Sequence, residues 1–146
     1  MWTRAIAAIL LSVPAFTWAA CSPSSSLGGK WQFFKTWRDG TGSQHADSCT
    51  FVLGADGTIT RGSCRSIQPD GTLLKPYTTS VSGQIAVTSA CVVSGTVTTI
   101  VNDEGIKLVT GRMEIGHGLI NGIAADIDYF GGTYVGNLSS FTMTRY

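Results

Sequence analysis

Four cysteines, two histidines and nine carboxylates are the residues of this 146-residue chain whose types allow covalent, acid–base or metal chemistry. Cys49 and Cys64 sit symmetrically about Asp56-Gly57 in CTFVLGADGTITRGSC. Asp-Gly favours a two-residue hairpin turn, because both central positions need positive φ. A turn there sets Ala55 against Thr58, Leu53 against Thr60, Phe51 against Gly62 and Cys49 against Cys64. The cysteines then form a non-hydrogen-bonded pair with Cα atoms about 4.5 Å apart. That separation lies within the disulfide range of about 4.4–6.8 Å, so a cross-strand disulfide is expected. A metal site is not: no other Cys or His lies at ligand spacing and no CxxC occurs.

The remaining polar residues give no catalytic set. His45 stands beside Asp47 in a polar stretch, and His117 lies between two glycines in a turn. Both read as solvated loop residues, since neither has a nucleophile or a second ligand beside it. The chain has no Gly-x-Ser-x-Gly, no HExxH and no phosphate-binding glycine loop. Asp126 and Asp128 share one strand face, read as outward and solvated. Arg112 and Glu114 share a face and read as a surface pair worth at most about 1 kcal/mol. No catalytic residue and no cofactor is expected.

The N-terminus reads as an export signal. Met1 to Arg4 is short and basic, and Ala5 to Trp18 is mostly apolar but too short for a comfortable membrane span. Two cleavage sites compete. Thr17-Trp18-Ala19 suits an ordinary signal peptidase, whereas Trp18-Ala19-Ala20-Cys21 resembles a bacterial lipobox that departs from the pattern at Trp18. The lipobox reading makes residues 1–20 a signal peptide, Cys21 the lipidated residue and residues 21–28 a flexible tether, with CSPSSSLGG as its sequence. It leaves Cys91 a single thiol, with burial favoured by its strand context. Otherwise Cys21 stays a thiol, and a Cys21–Cys91 bond would tie the N-terminal segment to the fold. Asn137-Leu138-Ser139 matches a glycosylation acceptor, which a bacterial host leaves unused.

Net charge is +1 with 13% charged residues and no basic patch, which argues against a nucleic-acid partner. Eighteen glycines, with abundant Thr, Val and Ser, point to strands joined by tight turns. The first strand is KWQFFKTW, with Trp31, Phe33 and Trp37 on one face and Gln32, Phe34 and Thr36 on the other. RDGTGSQHADS reads as a polar loop, and the stapled hairpin follows. SIQPDGTLLKPYTTSVSG reads as a loop with a short strand or a turn at Pro69-Asp70-Gly71. Six strand-like runs then succeed one another: QIAVTSA, VVSGTVTTIV, IKLVTGRMEIG, LINGIAADIDYF, GTYVGNL and SFTMTRY. Evenly spaced short strands with hairpin-short connections predict an all-β fold, an antiparallel up-and-down barrel of about eight strands over residues 29–146. Closure removes exposed edges. Gly95, Gly111, Gly122 and Gly136 mark strand bends.

Gly29-Lys30-Trp31 opens the first strand and Thr144-Arg145-Tyr146 closes the last. In this the chain resembles the calycin superfamily of lipocalins, fatty-acid-binding proteins, avidins and bacterial metalloprotease inhibitors. There a Gly-x-Trp begins strand one and a basic residue of the last strand packs over the tryptophan. The resemblance implies that Trp31 and Arg145 form the barrel lock. QFFKTWRDG departs from the avidin ligand pattern, and the C-terminal half departs from the inhibitor pattern.

Two functions are therefore expected. One is a non-enzymatic envelope lipoprotein, lipid-anchored at the outer membrane or otherwise periplasmic or secreted, binding a small apolar ligand or an envelope protein. Trp31, Phe33 and Trp37 would line the closed end of its cavity, with Val109, Met113 and Ile115 on another wall. The alternative is a secreted metalloprotease inhibitor acting through Ser22 to Leu27, which needs a free N-terminus.

Overall fold

The period-two alternation of apolar and polar residues sets one side of every strand toward a shared interior. The computed structural model describes residues 21–22, 26–38, 42–67, 80–99, 104–114, 116–128 and 138–146. The signal-peptide reading of residues 1–20, the turn at Pro69 to Gly71, the acceptor Asn137 and all of GTYVGNL except Leu138 lie outside these residues. Eight strands are formed: β1 (Gly29–Arg38), β2 (Gln44–Leu53), β3 (Ile59–Ile67), β4 (Val81–Val87), β5 (Val92–Thr99), β6 (Glu104–Met113), β7 (Leu119–Asp128) and β8 (Ser139–Arg145). They make one antiparallel sheet in the order β3-β2-β1-β8-β7-β6-β5-β4, curled into a nearly closed barrel.

The first and last strands pair directly, with Trp31 opposite Arg145, Phe33 opposite Met143 and Lys35 opposite Phe141. The seam therefore falls in mid-chain, between β3 and β4. There the Ile85 N–H donates to the Gly57 carbonyl at 2.9 Å, and isolated bridges join Thr58 to Gln84 and Gly62 to Ser80. Trp31, Phe33, Ile85, Val93, Val97, Ile120 and Met143 are completely buried in the interior.

The β2–β3 hairpin carries the expected pairs, Cys49 opposite Cys64 and Phe51 opposite Gly62, and the two cysteines are disulfide-bonded. Its turn is different. The Gly57 N–H donates to the Gly54 carbonyl at 3.0 Å, so Ala55 and Asp56 occupy the centre and Gly57 follows at φ +83°. A turn residue followed by a left-handed glycine is a common longer hairpin loop. A bulge then sets Leu53 opposite Ile59 but Val52 opposite Arg61, leaving Thr60 as the extra residue. The shift made at the turn and the residue added by the bulge cancel, which preserves the cysteine register. Gly57 has no room for a side chain: a Cβ there would lie 1.8 Å from the Ile85 carbonyl oxygen.

A second bulge changes the interior of β6. Leu108 lies opposite Ala124 and Thr110 opposite Ile123, so Val109 is the extra residue. Ile106 and Leu108 point inward before it and Met113 after it, while Val109 is 41% exposed. Val109 therefore does not line the interior, as simple alternation back from Met113 predicts. Ile115 lies outside the described residues.

Strand β2 begins at Gln44, within the stretch expected to be a polar loop. Residues 26–28 also depart from the flexible-tether reading. Ser26 and Leu27 are buried against the barrel, and the Leu27 carbonyl accepts the Trp31 indole N–H at 2.6 Å.

Candidate functional site

Alternation along β1 turns Trp31, Phe33 and Lys35 inward, with half-buried Trp37 beyond them. Lys35 is 1% exposed, in a barrel whose interior is otherwise mainly apolar. A lysine is almost never so buried unless paired, and two carboxylates meet it. Its Nζ lies 3.2 Å from Asp47 Oδ2 on the neighbouring β2. It also hydrogen-bonds Asp126 Oδ1, which β7 contributes from beyond β8. The Ser66 hydroxyl of β3 donates to the second Asp47 oxygen. Four strands are thus joined by one buried ionic network. Its members compensate charges that would otherwise cost several kcal/mol each, on the order of magnitude for desolvated ions.

An aromatic pair lies beside the network. The Trp37 and His45 rings stack with centroids 4.5 Å apart at 26°, and Lys35 Nζ lies 5.8 Å from the Trp37 ring centre. The Trp37 indole N–H is shielded from solvent and has no hydrogen-bond partner among the described residues. The Phe33 and Phe141 rings also stack, with centroids 5.7 Å apart.

The structure differs from two of the site expectations. His45 is not a solvated loop residue; it is buried on β2, because the strand starts at Gln44. Asp126 is not on an outward solvated face. It shares the inward parity of Ile120 and Ala124, and Lys35 supplies its counter-charge. Arg112 and Glu114 are exposed on the outer side and His117 takes φ +54° in the β6–β7 turn.

The two barrel ends differ. The chain leaves β1, β3, β5 and β7 at the end that carries Trp37 and the ionic network, with connections spanning 39–43, 68–80, 100–103 and 129–138. The opposite end has turns at Gly54–Thr58 and Thr88–Cys91, as short as 39–43 and 100–103 but shorter than 68–80 and 129–138, and Ser26 and Leu27 packed against it. Trp31 lies toward that closed end. It is six residues from Trp37, or about 20 Å at roughly 3.3 Å per residue, so the two tryptophans do not line one closed end together. Trp31, Phe33 and Met113 are buried in the interior.

At the closed end the Arg145 guanidinium carbon lies 5.7 Å from the Trp31 ring centre. A cation so placed is worth about 0.5–2 kcal/mol. The same guanidinium reaches the Ser26 and Gly28 carbonyls, each at 3.4 Å. Gly29, at φ +133°, makes room for it: a Cβ would lie 3.2 Å from Arg145 Cδ. Cys21 is disulfide-bonded to Cys91 across 70 residues. Its sulfur cannot carry a lipid thioether at the same time, so of the two readings of Cys21 the structure contains the disulfide. Two disulfides fit an oxidising, exported environment.

Sequence reasoning missed Lys35, Asp47 and Asp126 as a group. The parity of Lys35 with Trp31 and Phe33 was the available signal. Among the described residues, no three His, Cys, Asp or Glu side chains gather to hold a metal ion, and no helix is long and apolar enough to cross a membrane. The eight-stranded antiparallel barrel is compatible with a calycin-like layout, while comparison with protein-family models, curated proteins and solved structures gives no match.

Proposed function

We propose that this chain is an exported, non-enzymatic binding barrel that takes a small, largely apolar ligand at its loop end. One observation carries the reading. The end where the connections 68–80 and 129–138 emerge holds a Trp–His stack and a Lys–Asp–Asp network, whereas the N-terminal residues Ser26 and Leu27 pack against the other end. Ligand pockets are mostly apolar, with a few fixed polar groups, and barrel mouths are a frequent place for them. Trp37 and His45 supply the flat apolar wall, and Asp126, the most exposed member of the network, supplies the polar anchor. Native mass spectrometry of the protein purified from its own host tests this. A small-molecule adduct that Trp37→Ala loses is expected; bare protein in both preparations would overturn the ligand reading and leave a protein partner as the alternative.

The lipid anchor is part of this proposal only where Cys21 is not oxidised, because acylation and the Cys21–Cys91 bond use the same sulfur. The intact mass separates the two forms. The alternative inhibitor reading needs an N-terminal segment that can enter a protease cleft. Burial of Ser26 and Leu27 at the closed end and the bond at Cys21 weigh against it.

A further inference from the structure

The charges of the ionic network do not balance. Lys35 brings one positive charge to two carboxylates, Asp47 and Asp126, which leaves one negative charge over. Burial and bonding set where it rests. The Asp47 side chain is 13% exposed and both its oxygens are engaged, one by Lys35 and one by the Ser66 hydroxyl. The Asp126 side chain is 32% exposed and gives Oδ1 to Lys35, while its Oδ2 accepts no hydrogen bond among the described residues. The excess charge therefore lies on the solvent side of Asp126, at the loop end. The strand cations near that end, Arg38, Arg65 and Lys107, have outward parity and are exposed, so they do not cancel it. The next rung of the same parity toward the rim pairs Glu104 with Asp128, two further acidic residues.

An aromatic wall stands beside that carboxylate. Lys35 Nζ hydrogen-bonds Asp126 and lies 5.8 Å from the Trp37 ring centre, so carboxylate and ring flank one ammonium. The Trp37 indole N–H is a shielded donor with no partner among the described residues, an uncommon state for such a group. The ring itself is half-buried at the rim, where a small rotation turns its N–H toward an occupant of the mouth. We infer that the ligand of this mouth is an apolar organic cation. Its ammonium meets Asp126 Oδ2, an acceptor oxygen close to the ammonium takes the Trp37 indole N–H, and its apolar body lies against Trp37 and His45. This rests on the mouth proposed above and adds the sign of the ligand's charge. With such a ligand in place, two ammonium groups and two carboxylates sum to zero. An anionic ligand would raise the excess to two negative charges or would have to part Asp126 from Lys35. Selectivity of this kind comes as much from the penalty on the wrong charge as from contact with the right one. A metal ion fits poorly, since among the described residues no three His, Cys, Asp or Glu side chains gather to hold one.

Three amides with the same decyl chain and the same carbonyl test the inference: cationic N-decylglycinamide, neutral N-decylacetamide and anionic N-decylmalonamate, each below its micellar concentration. Calorimetry measures the affinity for the purified protein, and NMR follows the Trp37 indole N–H. The glycinamide is expected to bind about tenfold more tightly than the acetamide, as a charge pair between the exposed and the buried ranges gives. The malonamate should bind most weakly, and the glycinamide should move the indole N–H signal downfield. Asp126→Asn should erase the advantage of the glycinamide over the acetamide. Equal binding of the three amides by the parent protein, a preference for the malonamate, or an ammonium preference that survives Asp126→Asn would overturn the cation and leave the mouth standing. No binding and no indole shift with any of the three would overturn the mouth and the cation together.

Discussion

Lys35→Met removes the single cation of the buried network and keeps an apolar stem of similar length. Two carboxylates then face each other without a counter-ion. Breaking a buried ion pair from one side costs about 3–5 kcal/mol. Asp126 moderates this, because its side chain is 32% exposed and can rehydrate, whereas that of Asp47 is 13% exposed. The lower end of the range, about 3 kcal/mol, is therefore expected. The triple variant Lys35→Met, Asp47→Asn, Asp126→Asn removes all three charges and keeps an acceptor for Ser66. It should recover to within about 1 kcal/mol of the parent, since replacing a whole buried network is often near neutral. Urea unfolding followed by intrinsic fluorescence measures both, with unchanged slope as the check that the same surface is exposed. Lys35→Met within about 1 kcal/mol of the parent, or a triple variant no more stable than the single one, would refute a Lys35 that holds two buried carboxylates.

Leu108→Ala should cost about 2–5 kcal/mol in urea unfolding, as a buried Leu does, while Val109→Ser beside it should stay within about 0.5 kcal/mol; equal costs would remove the bulge that separates them. Gly57→Ala should lose more than about 2 kcal/mol, because it strains a left-handed position and drives a methyl into the Ile85 carbonyl at the seam; a thermal midpoint equal to the parent's would refute this. The Asp56 carboxylate accepts the Thr58 backbone N–H and hydroxyl, which hold its pKa below the ordinary carboxylate value. Its folded value being the lower one, the contribution is complete above the unfolded value and lost as pH falls through the folded value. An NMR carboxyl titration should place Asp56 below an unstructured aspartate, and Asp56→Asn should flatten that part of the acid limb of stability.

Most of the architecture was legible because strand alternation and turn residues are local signals. The stapled hairpin shows how far that reaches. Its cysteine register came out correctly although the turn sits one residue earlier than Asp-Gly suggests, because the bulge at Thr60 restores the count. The bulge at Val109 has no such compensation, and every position before it changes face. Such an insertion is set by packing against β7 and leaves no mark in composition. The network was half legible. Lys35 stands in the inward parity of Trp31 and Phe33, but its charge argues for solvent until a partner is known. The partner Asp126 lies 91 residues away and is supplied only by closure of the barrel. His45 and Asp47 read as loop because polar residues hide the start of β2, whose inward face here is polar.

Pairing of β1 with β8 has a consequence for the order of events in the cell. The first strand made must wait for the last before its second edge is covered, and Lys35 and Asp126 are separated until then. Contacts between such distant segments slow folding, and an uncovered strand edge invites association with other chains. A chain of this layout stays open while its final strand is unmade.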